Sequence, residues 1–214
     1  MKKNFSSERA FLLPAIILWI LVLGVVLLTD KAQLHFWINR WNAPLADFFF
    51  KYYTYVGDFM PFCVAAALLF WRYSAAMMIL ATQLIATLFV TPLKHLIDED
   101  RPRVVFAQLH ETLHTAANVQ LHSSHSFPSG HTAAAFALFF SLAVMIKQPA
   151  LKFLMFFLAV LAGFSRIYLS QHFTGDVLAG SFIGVMSVMI YDCFFQQKID
   201  EKLGEKSLRD FLKK

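Results

Sequence analysis

The feature that most constrains this chain is the length of its uninterrupted apolar runs. A helix rises about 1.5 Å per residue, so about 20 apolar residues cross the ~30 Å hydrocarbon layer of a bilayer. Clear runs lie at 11–28, 75–93, 132–146, 151–169 and 177–195, and a weaker one at 55–71 carries Asp58 near one end. Of the 214 residues, 58% are hydrophobic and 15% charged, whereas a soluble domain has about 45–50% and about 25%. These values exclude a soluble domain, a disordered chain and a disulfide-stapled secreted domain. The expectation is a single all-α integral membrane domain over 1–214, a six-helix bundle with no room for a second soluble domain.

The net charge of +5 could suit nucleic acid, but the placement of the charges argues otherwise. With the N-terminus in the cytoplasm and six spans threaded, the inner side carries Lys2, Lys3, Arg9, Arg72, Lys147, Lys152 and the six Lys/Arg from Lys198 onward. The outer side carries the remaining seven of 19. Positive residues favour the cytoplasmic side, so both termini are expected inside. The basic tail 198–214 is interleaved with Asp200, Glu201, Glu205 and Asp210 and reads as a solvated cytoplasmic surface helix, not a DNA-binding arm.

The first run follows Lys2 and Lys3 as a signal peptide would, but it is long and lacks a small-x-small cleavage site, so it reads as an uncleaved span. Cys63 and Cys193 fall at opposite membrane faces, too far apart for a disulfide, and read as packing residues. Segment 31–53 is rich in aromatics, including Trp37, Trp41, Phe48 and Tyr52, and should lie along the outer interface. It serves there either as an anchoring belt or as the border of a lipid access path. Gly180 and Gly184 form a Gly-x-x-x-Gly spacing that lets helices approach closely.

Polar residues near the membrane are few and demand a reason. They gather in three blocks, all threaded to the outer face. The blocks are Lys94 with Arg101-Pro102, then Pro128-Ser129-Gly130-His131, then Ser165-Arg166 with His172 and Asp176. Singly, each has an ordinary role: a snorkelling cation, a helix cap, a surface histidine. Together, three permanent cations suit a dianionic phosphoryl group. Ser129 and Gly130 would offer free N–H groups where the fourth span begins. His172 and Asp176, four residues apart, would share a helical face if the sixth span starts there. The carboxylate would then fix the imidazole tautomer and leave the other nitrogen to attack phosphorus, with His131 protonating the leaving oxygen. Such a site needs no metal or other cofactor.

Lys94-x6-Arg101-Pro102, Pro128-Ser129-Gly130-His131 and Ser165-Arg166-x5-His172-x3-Asp176, in this order, resemble the three-part signature of the type 2 phosphatidic acid phosphatase superfamily. The resemblance implies a phosphohistidine on His172, orientation by Asp176 and acid catalysis by His131. It also implies phosphate binding by Lys94, Arg101, Ser129, Gly130 and Arg166. The expected activity is that of a metal-independent lipid phosphatase at the extracytoplasmic face of a bacterial inner membrane. Its substrate would be a lipid monophosphate or diphosphate: undecaprenyl diphosphate, a lipid A phosphate, phosphatidylglycerophosphate or phosphatidic acid. Membrane lipids are the expected partners, nucleic acid is not, and the oligomeric state is left open.

Three alternatives remain at this point. The same site could pass its phosphoryl group to a second lipid. A noncatalytic phospholipid carrier would need the cations but not His172. His110-Glu111-Thr112-Leu113-His114 fits the His-Glu-x-x-His pattern of zinc proteases, with His122 or His125 as a third ligand. Its plainer reading is an amphipathic outer-loop helix within the polar segment 98–130.

Overall fold

The computed structural model describes residues 8–204 and 206–212, and the regular secondary structure among them is helical, with no strand. In chain order the helices are α1 (Arg9–Leu28), α2 (Lys31–Asn39), α3 (Pro44–Tyr53), α4 (Met60–Leu69), α5 (Tyr73–Ile97), α6 (Pro102–Gln108), α7 (Gly130–Met145), α8 (Pro149–Tyr168), α9 (Thr174–Phe194), α10 (Gln196–Leu203) and α11 (Leu208–Leu212). The five clear apolar runs are each found as a helix, α1, α5, α7, α8 and α9. Four stretches are long and apolar enough to cross a membrane: Arg9–Leu28, Tyr73–Gln108, Pro149–Tyr168 and Thr174–Phe194. Met60–Leu69 and Gly130–Met145 are shorter apolar helices.

The run at 55–71 is not one continuous helix. Thr54–Gly57 forms a 3-10 turn, Asp58 leaves the helical region at φ −116° and ψ −96°, and α4 starts afresh with Pro61 in its first turn. Ten residues span only about 15 Å. Gly57 is needed at the break, because a Cβ there would run into the carbonyl of His131.

Helix α7 is the hub, packing against α5, α8, α9 and the 3-10 turn. Phe136, Phe139 and Phe140 of α7 meet Phe11 of α1, Phe156 of α8, and Val185, Val188 and Tyr191 of α9 in the main core. Phe11 stacks on Phe140 with ring centroids 4.7 Å apart, a favourable offset geometry. Outside this seam the helices turn Leu21, Leu88, Phe157 and Phe182 outward. An apolar belt of this kind is a liability in water and the normal surface in hydrocarbon. Lipid tails are as apolar as leucine, so close packing rather than expulsion from water must hold the helices together. The Gly-x-x-x-Gly pair serves that end: a Cβ at Gly180 would strike the Ser129 carbonyl, and one at Gly184 the Ala133 carbonyl. α9 therefore lies directly on the backbone of α7.

Segment 31–53 forms the short helices α2 and α3, with Trp37, Trp41, Phe48 and Tyr52 exposed and Phe50 packed on Tyr168. Three expectations change. Cys63 and Cys193 are exposed rather than packed. Lys152 is no surface cation but a buried partner of Glu8 at 2.7 Å. The tail is not one helix: Gly204, at φ 51°, separates α10 from α11. Arg72 binds Asp200 at 3.0 Å and Tyr73 N–H binds the Lys206 carbonyl at 2.9 Å, so the tail is tied to the start of α5. Residues 1–7, 205, 213 and 214 of the expected domain lie outside the described residues.

Candidate active site

The three polar blocks converge at one end of the bundle because each sits at the same end of its helix. Lys94 lies in the last turn of α5, which stops at Asp98 in the left-handed region, φ 40°. Arg101 is the residue before α6, whose first position is Pro102, a place where a missing N–H costs nothing. Ser129 caps α7 and accepts the Thr132 hydroxyl at 2.8 Å. Arg166 lies in the last turn of α8, and Asp176 in the first turn of α9.

His172 is at the centre, fully buried in the turn between α8 and α9 rather than on the α9 helix. Its contact with Asp176 therefore does not come from helical i,i+4 spacing. Asp176 reaches back across the start of α9, where one carboxylate oxygen takes three donors. These are Phe173 N–H at 2.9 Å, the Ser126 hydroxyl at 2.5 Å and His172 Nδ1 at 3.3 Å. Asp176 thus caps the helix and holds the histidine with the same atom.

On the far edge of the ring, Arg101 Nη1 lies 3.4 Å from His172 Nε2. A guanidinium only donates, so Nε2 is the lone-pair nitrogen and Nδ1 carries the hydrogen that faces the carboxylate. Burial, then the charges of Arg101, Arg166 and Lys94, hold the His172 pKa well below its ordinary value. The imidazole is neutral, and its lone-pair nitrogen faces the cations. Exposed His122 is pushed down by burial and by the same three cations, which places it at the rim of their field.

Arg101 also donates to the Gln171 carbonyl at 3.0 Å and to the Ser124 carbonyl at 2.9 Å. Lys94 Nζ donates to the His125 carbonyl at 2.6 Å. Arg166 donates through Nη1 to the Thr54 hydroxyl, while its Nε is buried with no partner among the described residues. An orphaned guanidinium N–H in a buried site costs free energy unless an acceptor arrives, and a phosphoryl oxygen has the right charge and geometry. Gly130 sits against the Lys94 side chain, 3.9 Å from Cε to where a Cβ would be. His131, in the first turn of α7, is within electrostatic reach of His172, Arg166, Arg101 and Lys94. All eight residues singled out for phosphate chemistry are thus brought together.

The His-Glu-x-x-His segment behaves differently. His110 is in the left-handed region at φ 57° and residues 111–116 are not helical, so the two histidines share no helix face with Glu111. His114 instead pairs with Asp47 at 2.9 Å. Among the described residues no three His, Cys, Asp or Glu side chains are grouped so as to hold a metal ion.

Sequence reasoning missed Ser126, Gln171, Thr54 and Asp58. Ser126 and Gln171 had a usable signal, since both are polar and stand within three residues of a marked motif. Thr54 and Asp58 meet Arg166 only through the fold, from the 3-10 turn before α4.

Two solved structures are similar to this chain. LpxE of Aquifex aeolicus, known from a crystal structure, is 28% identical, with a TM-score of 0.68 over 77% of this chain and 95% of that one. The transmembrane PAP2-type phosphatidylglycerolphosphate phosphatase of Bacillus subtilis is 20% identical, with a TM-score of 0.49 over 89% of this chain and 96% of its own. No protein of curated function matches the chain. The PAP2 superfamily model matches residues 73–200, more than half of the chain and all of the polar cluster on α5 to α9. The chain is an integral membrane protein of the PAP2 superfamily, the type 2 phosphatidic acid phosphatase family of lipid phosphatases.

Proposed function

We propose that the protein hydrolyses a phosphate monoester or diphosphate of a membrane lipid through a phosphohistidine on His172, without a metal ion. The observation that carries this proposal is the orientation of the His172 ring: Nδ1 on Asp176 and Nε2 facing Arg101, beside the unpartnered Nε of Arg166. In the first step Nε2 attacks phosphorus and the bond to the leaving oxygen breaks. The electron pair goes to that oxygen, which takes a proton from His131. Asp176 stabilises the positive charge that develops on the ring. Lys94, Arg101, Arg166, the N–H of Gly130 and the Ser129 hydroxyl hold the phosphoryl oxygens; the Ser129 N–H, expected to be free, is instead taken by the Asp176 carbonyl at 3.0 Å. In the second step water attacks phosphorus, the P–N bond breaks, His131 takes the water proton and inorganic phosphate leaves.

The site is assigned to the extracytoplasmic face of a bacterial inner membrane, with both termini in the cytoplasm, on the strength of the distribution of Lys and Arg. Six crossings, with α4 and α7 as short spans, satisfy that arrangement. The substrate belongs among undecaprenyl diphosphate, lipid A phosphates, phosphatidylglycerophosphate and phosphatidic acid. Phosphate release from these four lipids, measured on purified protein in detergent with EDTA, tests the assignment. At least one lipid should be hydrolysed by the wild type and none by His172→Ala or His131→Ala. Unchanged release by either variant contradicts the mechanism.

A further inference from the structure

The turn that carries His172 is held by buried polar side chains that have no part in the chemistry above. Helix α8 closes with Ser170 N–H donating to the Ile167 carbonyl at 3.0 Å and Gln171 N–H to the Arg166 carbonyl at 2.9 Å. This pattern is a Schellman motif, and its left-handed position normally falls to glycine because a Cβ crowds the backbone there. Here the position is Ser170, at φ 53° and 1% exposed. Its hydroxyl is engaged by two residues of α2: Asn39 Nδ2 donates to it at 3.1 Å and His35 Nε2 lies 3.2 Å away.

Those partners are themselves fixed. The Asn39 amide donates to the His114 carbonyl and accepts from the His114 N–H, both at 2.9 Å. The His114 ring binds Asp47, which accepts the Tyr168 hydroxyl at 2.7 Å. The second histidine of the His-Glu-x-x-His pattern therefore belongs to this network. Burial lowers the His35 pKa to about 4, so its ring is neutral and Nε2 can accept the Ser170 hydroxyl hydrogen. Asn39 supplies the hydrogen bond that the same oxygen accepts.

We propose that Asn39 and His35 are positioning residues for His172: by tethering the Ser170 hydroxyl they hold the 170–172 turn, and with it the nucleophilic Nε2, in line with the phosphate cradle. This inference rests on the catalytic assignment of His172 above. A serine in a glycine position makes sense when its hydroxyl is needed. Arg101 bonds the Gln171 carbonyl and faces His172 Nε2, so a shift of the turn misaligns both nucleophile and cradle. A displacement of about 1 Å costs on the order of 10²-fold in rate.

Ser170→Gly separates positioning from structure, because it removes the hydroxyl and relieves the left-handed strain together. The expected result is a Tm unchanged or raised, with kcat for phosphate release lowered about 10- to 100-fold and KM changed little. Asn39→Ala should lower kcat similarly, and combining it with Ser170→Gly should add less than about twofold, because both act through one hydrogen bond. Should Asn39→Ala fail to fold, Ser170→Gly decides alone. Wild-type kcat in Ser170→Gly, or full multiplicative losses in the double variant, overturns the proposal. His172→Ala is run beside them: if it retains wild-type release, the catalytic assignment fails, whereas an inactive His172→Ala beside a fully active Ser170→Gly removes only the tether.

Discussion

The imidazole of His172 and the carboxylate of Asp176 meet at 3.3 Å although only Asp176 belongs to a helix. The contact arises because Asp176 occupies the third position of α9 and turns back to its N-terminus, where Phe173 N–H also needs an acceptor. The helix start and the His172–Asp176 pair are thus one construction, which links the architecture of α9 to the protonation state of the imidazole.

Asp176→Asn keeps the acceptor for Phe173 and Ser126 but loses the charge that stabilises a cationic ring. The expected fall in kcat is about 10²–10⁴-fold, with the protein still folded. Ser126→Ala removes a buried 2.5 Å bond to the same oxygen without touching the charge, and should cost about tenfold. Steady-state phosphate release measures both; equal losses would mean that Ser126 does more than orient the carboxylate.

The pH profile follows from the lowered pKa of His172, which burial and then the three cations produce. A lowered pKa means that the ring stays neutral as pH falls through the ordinary histidine range. The acid limb of kcat/KM, which reports the free enzyme, should therefore lie below 6.5. Arg101→Gln removes the largest of the charge effects and should move that limb towards higher pH. A limb at or above the ordinary histidine value in the wild type contradicts the description of the site.

Gly180→Ala places a methyl group against the Ser129 carbonyl, which is backbone and cannot swing away. Overpacking of this kind costs about 1–3 kcal/mol. Because Ser129 also donates its N–H to the Asp176 carbonyl at 3.0 Å, the same change should lower activity beyond its effect on Tm. Thermal unfolding and phosphate release, measured together, test the coupling.

Metal removal separates the two motifs that the sequence offered. Phosphate release should be the same with and without EDTA, and Glu111→Gln should leave it within about twofold of wild type, as for a surface change remote from the chemistry. Loss of activity in EDTA with recovery on adding zinc would reinstate the metal reading of His110, Glu111 and His114.

Much of this was legible in the sequence. Long apolar runs fixed the positions of α1, α5, α7, α8 and α9, because hydrocarbon admits few other solutions for a satisfied backbone. The residues of the polar cluster were legible because charge is costly in such a chain. The break at Asp58 was not, since Gly57 is required by contact with His131, a residue far away in sequence. Nor was the fate of His114: spacing permits a metal-binding helix, whereas Asn39 and Asp47 claim its backbone and ring in the folded chain. Cys63 reads as a packing residue because Cys193 falls at the opposite face and cannot pair with it, but which face of α4 meets protein is settled only by its neighbours.

The proposed mechanism requires a bond between His172 Nε2 and phosphorus. Rapid quenching of the enzyme with a ³²P-labelled lipid diphosphate, followed by digestion, tests it directly. Base-stable, acid-labile label should appear on the peptide containing His172, and none in His172→Ala. Turnover without any protein-bound label, or label on a different residue, would contradict the mechanism.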